Sequence, residues 1–274
     1  MPQTAEQHLA IDFGVLTAEP AEEYHAKAGE YLSSHLLIDF IRCPKLYHKK
    51  LLGLIEEEAT YAMVLGSATH VRILEGKAAY EQQFALGGPI NKTTGKPFGR
   101  DTKAFAKWAQ SQGKPGIHYD DLPLIEDLAS GVGACVEAVD LLLHGRSEGV
   151  LRAEYCELAC QCRFDWIHPH RGIIDLKTTR DLDRFVRDIR DYRYLNQVAF
   201  YQAVLAQAIG DLVPVYLAAI EKKEPFRCGI WRLGDGLMAG ARRENEDAIE
   251  RLHQCRATDH WPTGYEDIRV LDSL

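Results

Sequence analysis

The stretch Arg163–Thr179 (Arg-Phe-Asp-Trp-Ile-His-Pro-His-Arg-Gly-Ile-Ile-Asp-Leu-Lys-Thr-Thr) constrains this chain more than any other. Apolar and β-branched residues flank a turn containing Pro169 and Gly172, the sequence signal for two paired strands. Asp165 and Asp175 lie five residues on either side of His170, so a hairpin centred there sets them opposite each other. Residues so opposed have Cβ atoms about 5 Å apart. Two carboxylates that close repel unless a cation lies between them. Lys177 follows Asp175 by two residues, and the period of a strand puts both on one face. Two aspartates with an ammonium beside them are suited to holding a divalent metal against a phosphodiester.

An acidic-x-Lys triplet alone carries little. The chain has four, at Glu75-x-Lys77, Asp101-x-Lys103, Asp175-x-Lys177 and Glu221-x-Lys223, and only the third follows a β-branched pair and faces a second Asp across a turn. A solvated surface hairpin with a weak ion pair competes with the metal-site reading at this level. Two helical pairs add weight. Gly66 and His70 stand one turn apart in the Ala62–Leu74 run. A glycine there costs about 1 kcal/mol of helix propensity, so its expected use is close backbone approach beside the imidazole. Gln197 and Tyr201 have the same spacing in the amphipathic stretch Asp181–Gln207, and both can hydrogen-bond phosphate or base.

Gly-x-x-x-His, Asp, Asp-x-Lys and Gln-x-x-x-Tyr, in that order, resemble the RecB-like branch of the PD-(D/E)XK nuclease superfamily. Within it the chain looks most like the RecE (exonuclease VIII)-like, phage-type recombination nucleases. Tyr24-His25-Ala26, Leu32-Ser33-Ser34 and Cys43–Tyr47 resemble that family's opening segment. Leu65–His70 followed by Ile73-Leu74-Glu75 resembles its histidine helix, and Cys162–Asp165, Ile174–Thr179 and Asp191–Tyr194 complete the likeness. It spans about residue 22 to Pro262.

The resemblance implies an α/β fold with a restriction-endonuclease-like core, a mixed β-sheet flanked by helices. It implies a metal-dependent 5′→3′ exodeoxyribonuclease on linear double-stranded DNA, leaving 3′ overhangs for recombination by strand annealing. Two Mg²⁺ ions per site are expected, with Mn²⁺ tolerated, since hard oxygen ligands and an imidazole suit both. In that scheme Asp175 bridges the metals, Asp165 and the backbone carbonyl of Leu176 hold one, and His70 ligates the other. Lys177 orients or helps deprotonate the attacking water and neutralises phosphate charge. Gln197 and Tyr201 position the scissile strand. Glu75 fits the family pattern but sits about 140° from His70 around an ideal helix. The implied partners are double-stranded DNA ends, a RecT-like annealing protein and further copies of the chain, since rings that encircle DNA are common among such enzymes. The alternatives are a RecB-like nuclease of other polarity or endonuclease habit, and a catalytically inactive DNA-binding scaffold.

One departure concerns Leu151–Ile167, which lacks the turn cluster the family shows before the first Asp. It reads as one long strand or a very tight hairpin, leaving open whether Glu154 or Glu157 faces the metals. Along a single strand Glu157 shares the face of Asp165.

The 274 residues, 46% hydrophobic and 26% charged, suit one nuclease domain over 22–274 after a mobile lead-in at 1–21. No apolar run approaches a membrane span and no signal-peptide pattern opens the chain, so a bacterial cytoplasm is expected, with a phage source among the options. Seven cysteines, an odd number, argue against a disulfide framework. No iron–sulfur cluster is expected, because only Cys228 and Cys255 follow Lys177 whereas cluster-bearing relatives use three there. A net charge of −8 is awkward for a DNA binder, so basic residues must be segregated. The segment Asn91–Lys107 carries Lys92, Lys96, Arg100, Lys103 and Lys107 against the single acid Asp101, and reads as a mobile loop entering a helix. Arg193 is a further DNA-binding candidate. Helices are expected at about 33–52 (kinked at Pro44), 60–77, 122–144, 181–207 and 237–255. Strands are expected at about 151–167, 172–177, 213–220 and 226–233.

Overall fold

In the computed structural model, which describes residues 10–55 and 60–270, the order of elements is mixed α/β. The strands are β1 (Thr17–Ala18), β2 (Ala85–Gly87), β3 (Gly116–His118), β4 (Arg146–Tyr155), β5 (Leu158–His168), β6 (Gly172–Thr179), β7 (Val215–Glu221) and β8 (Cys228–Arg232). The first helices are α1 (Ala21–Ala26), α2 (Ser34–Arg42), α3 (Pro44–Leu51), α4 (Tyr61–Leu74), α5 (Lys77–Gln83) and α6 (Lys103–Gln112). They are followed by α7 (Leu122–Gly133), α8 (Val136–Leu141), α9 (Phe185–Asp191), α10 (Tyr194–Ile209) and α11 (Asp235–Thr258).

Six strands form one mixed sheet in the order β1-β4-β5-β6-β7-β8, and β2 pairs with β3 apart from it. Only β6 and β7 run parallel in the large sheet. A parallel neighbour requires a crossover, here the segment containing α9 and α10. Strands covered on both faces read as continuous apolar runs, and Ile173, Ile174, Leu176, Leu217 and Ile220 are all fully buried. Alternate residues serve opposite cores. Ile173, Val215 and Leu217 join the large cluster containing α10 and α11 residues, while Ile174, Leu176 and Ala218 pack with Leu74 and Leu141. By that alternation Asp175 and Lys177 face the α10 side.

Several helices are shorter than periodicity suggests. The expected helix at 33–52 is two, because a residue preceding proline is pushed from helical backbone. Cys43 is extended, and its Sγ accepts from Leu46 N while Ser33 caps α2. The expected helix at 122–144 breaks at Ala134–Cys135. The expected helix at 181–207 breaks at Arg193, which lies at φ +58°. Asn91–Lys107 is a bridged turn, with Ile90 paired to Pro97 and Asn91 N bonded to Lys96 O at 2.8 Å, before α6 begins.

The stretch at 151–167 resolves as a tight hairpin. Cys156 and Glu157, at φ +49° and +60°, form its two-residue turn between β4 and β5. The second hairpin turns at Pro169–Arg171, where His168 Nδ1 accepts from the backbone of His170 and Arg171, each at 3.0 Å. Gly172 is required there. Its φ is +90°, and a Cβ would lie 2.1 Å from the Pro214 carbonyl oxygen of the neighbouring chain segment. From residue 10 the lead-in joins the sheet. Ile11 and Leu16 are buried and β1 pairs with β4, while residues 1–9 lie outside the described part. Among the described residues no helix is long and apolar enough to cross a membrane.

The crossover is tied to the sheet by Glu221. Its carboxylate accepts from Leu182 N at 3.2 Å and from Arg227 at 2.8 and 3.1 Å, and Lys223 Nζ lies 3.1 Å away. The Arg227 bond, assisted by Lys223 and the Leu182 amide against the opposing effect of burial, holds this carboxyl down to about 2. A depressed native pKa stabilises the fold above the unfolded value of about 4.3. That contribution is lost as pH falls from there through the native value. Glu221→Gln is therefore expected to unfold at lower urea than wild type at pH 7, with the gap closing as the pH approaches 2. Urea titrations across that range check it.

Candidate active site

The register of β5 and β6 pairs Trp166 with Ile174, Ile167 with Ile173 and His168 with Gly172, which makes Asp165 and Asp175 the next opposed residues. There the backbone ladder gives way. Leu176 N–H donates instead to Asp165 Oδ2 at 2.9 Å. Phe164 and Ile167, three residues apart, enter the same core cluster, so strict alternation breaks at Asp165. His70 on α4 brings Nδ1 to 3.5 Å from the same Oδ2. Asp175 is 1% exposed, its Oδ2 lies 2.6 Å from Lys177 Nζ, and neither of its oxygens accepts a well-directed hydrogen bond.

Behind Lys177 a relay runs into the core. Lys177 Nζ donates to Gln197 Oε1 at 3.0 Å, and Gln197 Nε2 donates to Tyr201 OH at 3.1 Å. Tyr201 is 4% exposed, its ring edge-on to Phe164 at 5.4 Å, so it supports Gln197 rather than reaching a bound strand. The Lys177 ammonium also lies 4.6 Å from the centre of the Tyr194 ring. The cleft before it, about 440 Å³, is lined by α2 residues together with His70, Lys177, Tyr192, Tyr194 and Gln197.

The electrostatics follow from burial and neighbours. Burial would raise both carboxyls. His70, Lys177 and the Leu176 amide overcome it at Asp165 and hold that carboxyl low, whereas burial and the Asp165 charge push Asp175 high. Burial works against the Lys177 cation, but Asp175 and Asp165 outweigh it and raise its pKa. His70 is raised in the same way, Asp165 outweighing its burial. Two carboxylates forced together and pushed apart in acidity mark a site designed around positive charge.

Not every expected residue comes together here. Glu154 lies six positions beyond Glu148 along β4, about 20 Å from the level of Asp165, and Glu157 sits in the far turn; both are exposed. The tight turn removes them from the site. Glu75 is exposed and accepts from Gln83 Nε2 at 3.2 Å. Leu176 contributes its N–H to Asp165. A Cβ on Gly66 would meet nothing within 4 Å, so the close backbone approach expected there is absent. Lys92, Lys96 and Lys103 are exposed in or beside the bridged turn. Arg100 is engaged by the buried Asp121 at 3.0 and 3.1 Å, and Arg193 by Glu244 at 2.6 Å.

Glu148 is the acid that sequence reasoning missed. The β4–β5 register places it opposite Asp165, where its own φ is +54° and Arg163 Nε lies 2.6 Å from its carboxylate. Burial, then the Asp165 charge, pushes its carboxyl up to about 7 against the pull of Arg163. Its position follows from the turn alone, and the turn is Cys156-Glu157 where a sequence signal needs Asn or Gly.

Among the described residues no three His, Cys, Asp or Glu side chains converge as a complete metal-ligand set. The donor types at His70, Asp165 and Asp175 nonetheless suit a hard divalent cation. The buried Asp175 oxygens have no well-directed hydrogen bond beyond the 2.6 Å ion pair of Oδ2 with Lys177, and such an ion satisfies them.

Arg163→Ala is expected to strand the Glu148 carboxylate beside Asp165, at a cost of about 1–2 kcal/mol because the pair is only partly buried. Adding Glu148→Gln is expected to recover part of that loss, which urea unfolding of both variants measures.

A family model described as a PDDEXK-like domain of unknown function (DUF3799) matches residues 33–273. The structure is also similar to that of a "putative exonuclease" from Eubacterium rectale. The TM-score is 0.66 at 16% identity, covering 94% of this chain and 96% of that one, a likeness of fold. No curated protein matches.

Proposed function

The chain belongs to the PDDEXK-like family, and on that premise we propose that it is a metal-dependent nuclease acting as a 5′→3′ exonuclease on double-stranded DNA ends. The observation that carries the reading is Asp175. It is a buried carboxylate with no proper hydrogen bond, set opposite Asp165 and touched by the Lys177 ammonium. A charge placed so expensively has a use when it faces a cation and a phosphate.

Asp165 and Asp175, with His70, would hold the divalent ions, two per site. Bound there, Mg²⁺ or Mn²⁺ supplies Lewis-acid polarisation of the phosphoryl group. Lys177 is held by Asp175 and Gln197 at a fixed height above Tyr194, so its charge neutralises the phosphate and its protons orient the attacking water. Gln197 aims the ammonium, and Tyr201 aims Gln197. Lys92, Lys96, Lys103 and Lys107 have no acid partner among the described residues, so they are available to DNA phosphates. The likeness to RecE-type nucleases supports the polarity, the role in recombination with an annealing partner, a ring-forming oligomer and a cytoplasmic setting.

The test is digestion of linear duplex DNA labelled separately at its 5′ and 3′ ends, in Mg²⁺. Wild type is expected to release 5′ label first. Asp175→Ala is expected to abolish release, and Lys177→Ala to slow it by about 10²–10³-fold. Early 3′ release would overturn the polarity, and internal fragments would indicate an endonuclease. Absence of digestion in both Mg²⁺ and Mn²⁺ would leave a DNA-binding scaffold.

A further inference from the structure

The cleft before Lys177 carries an aromatic pair whose outer ring, Tyr192, the reaction described above does not use. Tyr192 and Tyr194 flank Arg193, whose left-handed backbone makes the corner between α9 and α10. The corner turns both rings the same way, with centroids 5.6 Å apart and planes within 25° of parallel. Tyr194 is the anchored member, beneath Lys177 and against Phe185 at 6.2 Å. Tyr192 is the outer one and is 57% exposed. Arg193 does not cover the rings, since its guanidinium is drawn to Glu244.

Across the cleft, α2 presents His35, Ile38, Asp39 and Arg42, one face of the helix. Asp39 is taken by Lys50 at 2.7 Å. Arg42 is exposed and pairs with no acid among the described residues. The cleft therefore has a stacked aromatic pair on one wall with the exposed Tyr192 ring outermost, an unengaged guanidinium opposite, and Lys177 at its floor. Its volume is in the range of sites for small organic ligands.

We propose that Tyr192, backed by Tyr194, forms a stacking platform for one nucleobase, with Arg42 taking an adjoining phosphate. The cleft then receives an unpaired or frayed terminal nucleotide rather than a paired one. This rests on the nuclease reading and adds the state of the substrate at the site. A base inside a duplex has both faces occupied by its neighbours, whereas a splayed base offers a π-face to a ring. Stacking of this kind tolerates any base, as an exonuclease requires.

The experiment measures binding of two fluorescent single-stranded oligonucleotides, one complete and one abasic at its terminal nucleotide, in Ca²⁺. Mg²⁺-dependent cleavage by wild type is followed in parallel. Wild type is expected to bind the abasic probe about tenfold more weakly than the complete one. Tyr192→Ala is expected to weaken the complete probe by about tenfold and to leave the abasic probe within about twofold, with Tyr192→Phe restoring the difference. Arg42→Ala is expected to weaken both probes equally, as loss of a phosphate contact does. Equal wild-type affinity for the two probes overturns the platform whatever the variants do. So does an equal loss on both probes in Tyr192→Ala. In either case cleavage by wild type leaves the nuclease reading standing. Neither binding nor cleavage by wild type overturns both.

Discussion

Asp175 occupies the middle of a strand that is apolar on both sides and covered on both faces. Taking a lone carboxylate into such a place costs several kcal/mol, and here the opposing cation is Lys177, two residues further along the same strand. Much of the surrounding architecture serves that pair. β7 must run parallel beside β6 to bury it, and α9 and α10 must cross over to make that possible. The crossover then delivers Gln197 to the far side of the ammonium. The core around the pair thus imposes one geometry on the lysine.

The same economy governs the facing strand. Asp165 gains the Leu176 amide because β5 leaves the ladder at that point, and His70 approaches from α4, an element of the opposite layer. Glu148 completes a row of acids across three adjacent strands, kept tolerable by Arg163 on one flank and by His70 and Lys177 on the other. Its left-handed backbone carries a strain of order 1 kcal/mol, of the kind that collects where side chains are aimed. The reading of this cleft as a nuclease site draws on that concentration of acid around cations, in a fold shared with the PDDEXK-like family.

Much of this was legible in the residues themselves. The hairpin Arg163–Thr179 states its own register, since Pro169 and Gly172 bound the turn and parity does the rest. It placed Asp165 against Asp175 and Lys177 beside it. The α/β order, the final helix and the positions of His70 and Gln197 on helices follow from periodicity of the same kind. Helix ends were harder. The breaks at Ala134–Cys135 and Arg193 carry no proline or glycine to mark them, and Arg193 adopts a left-handed backbone that sequence assigns to glycine or asparagine.

What the sequence determined by itself was local: strand parity, turn centres with Gly or Pro, and helix faces, all set by backbone geometry within a few residues. Only the tertiary structure decided which acid of β4 faces Asp165. That depended on a Cys156-Glu157 turn with no compositional mark, and moving the turn by one residue changes every partner along β4. Only the tertiary structure decided that Tyr201 is a buried support, that Gly66 makes no close contact, and that Tyr192 and Tyr194 stack at the mouth of the cleft. The reason is the same each time. A side chain's role depends on what packs against it from distant parts of the chain, and periodicity reports only which way it leaves its own backbone.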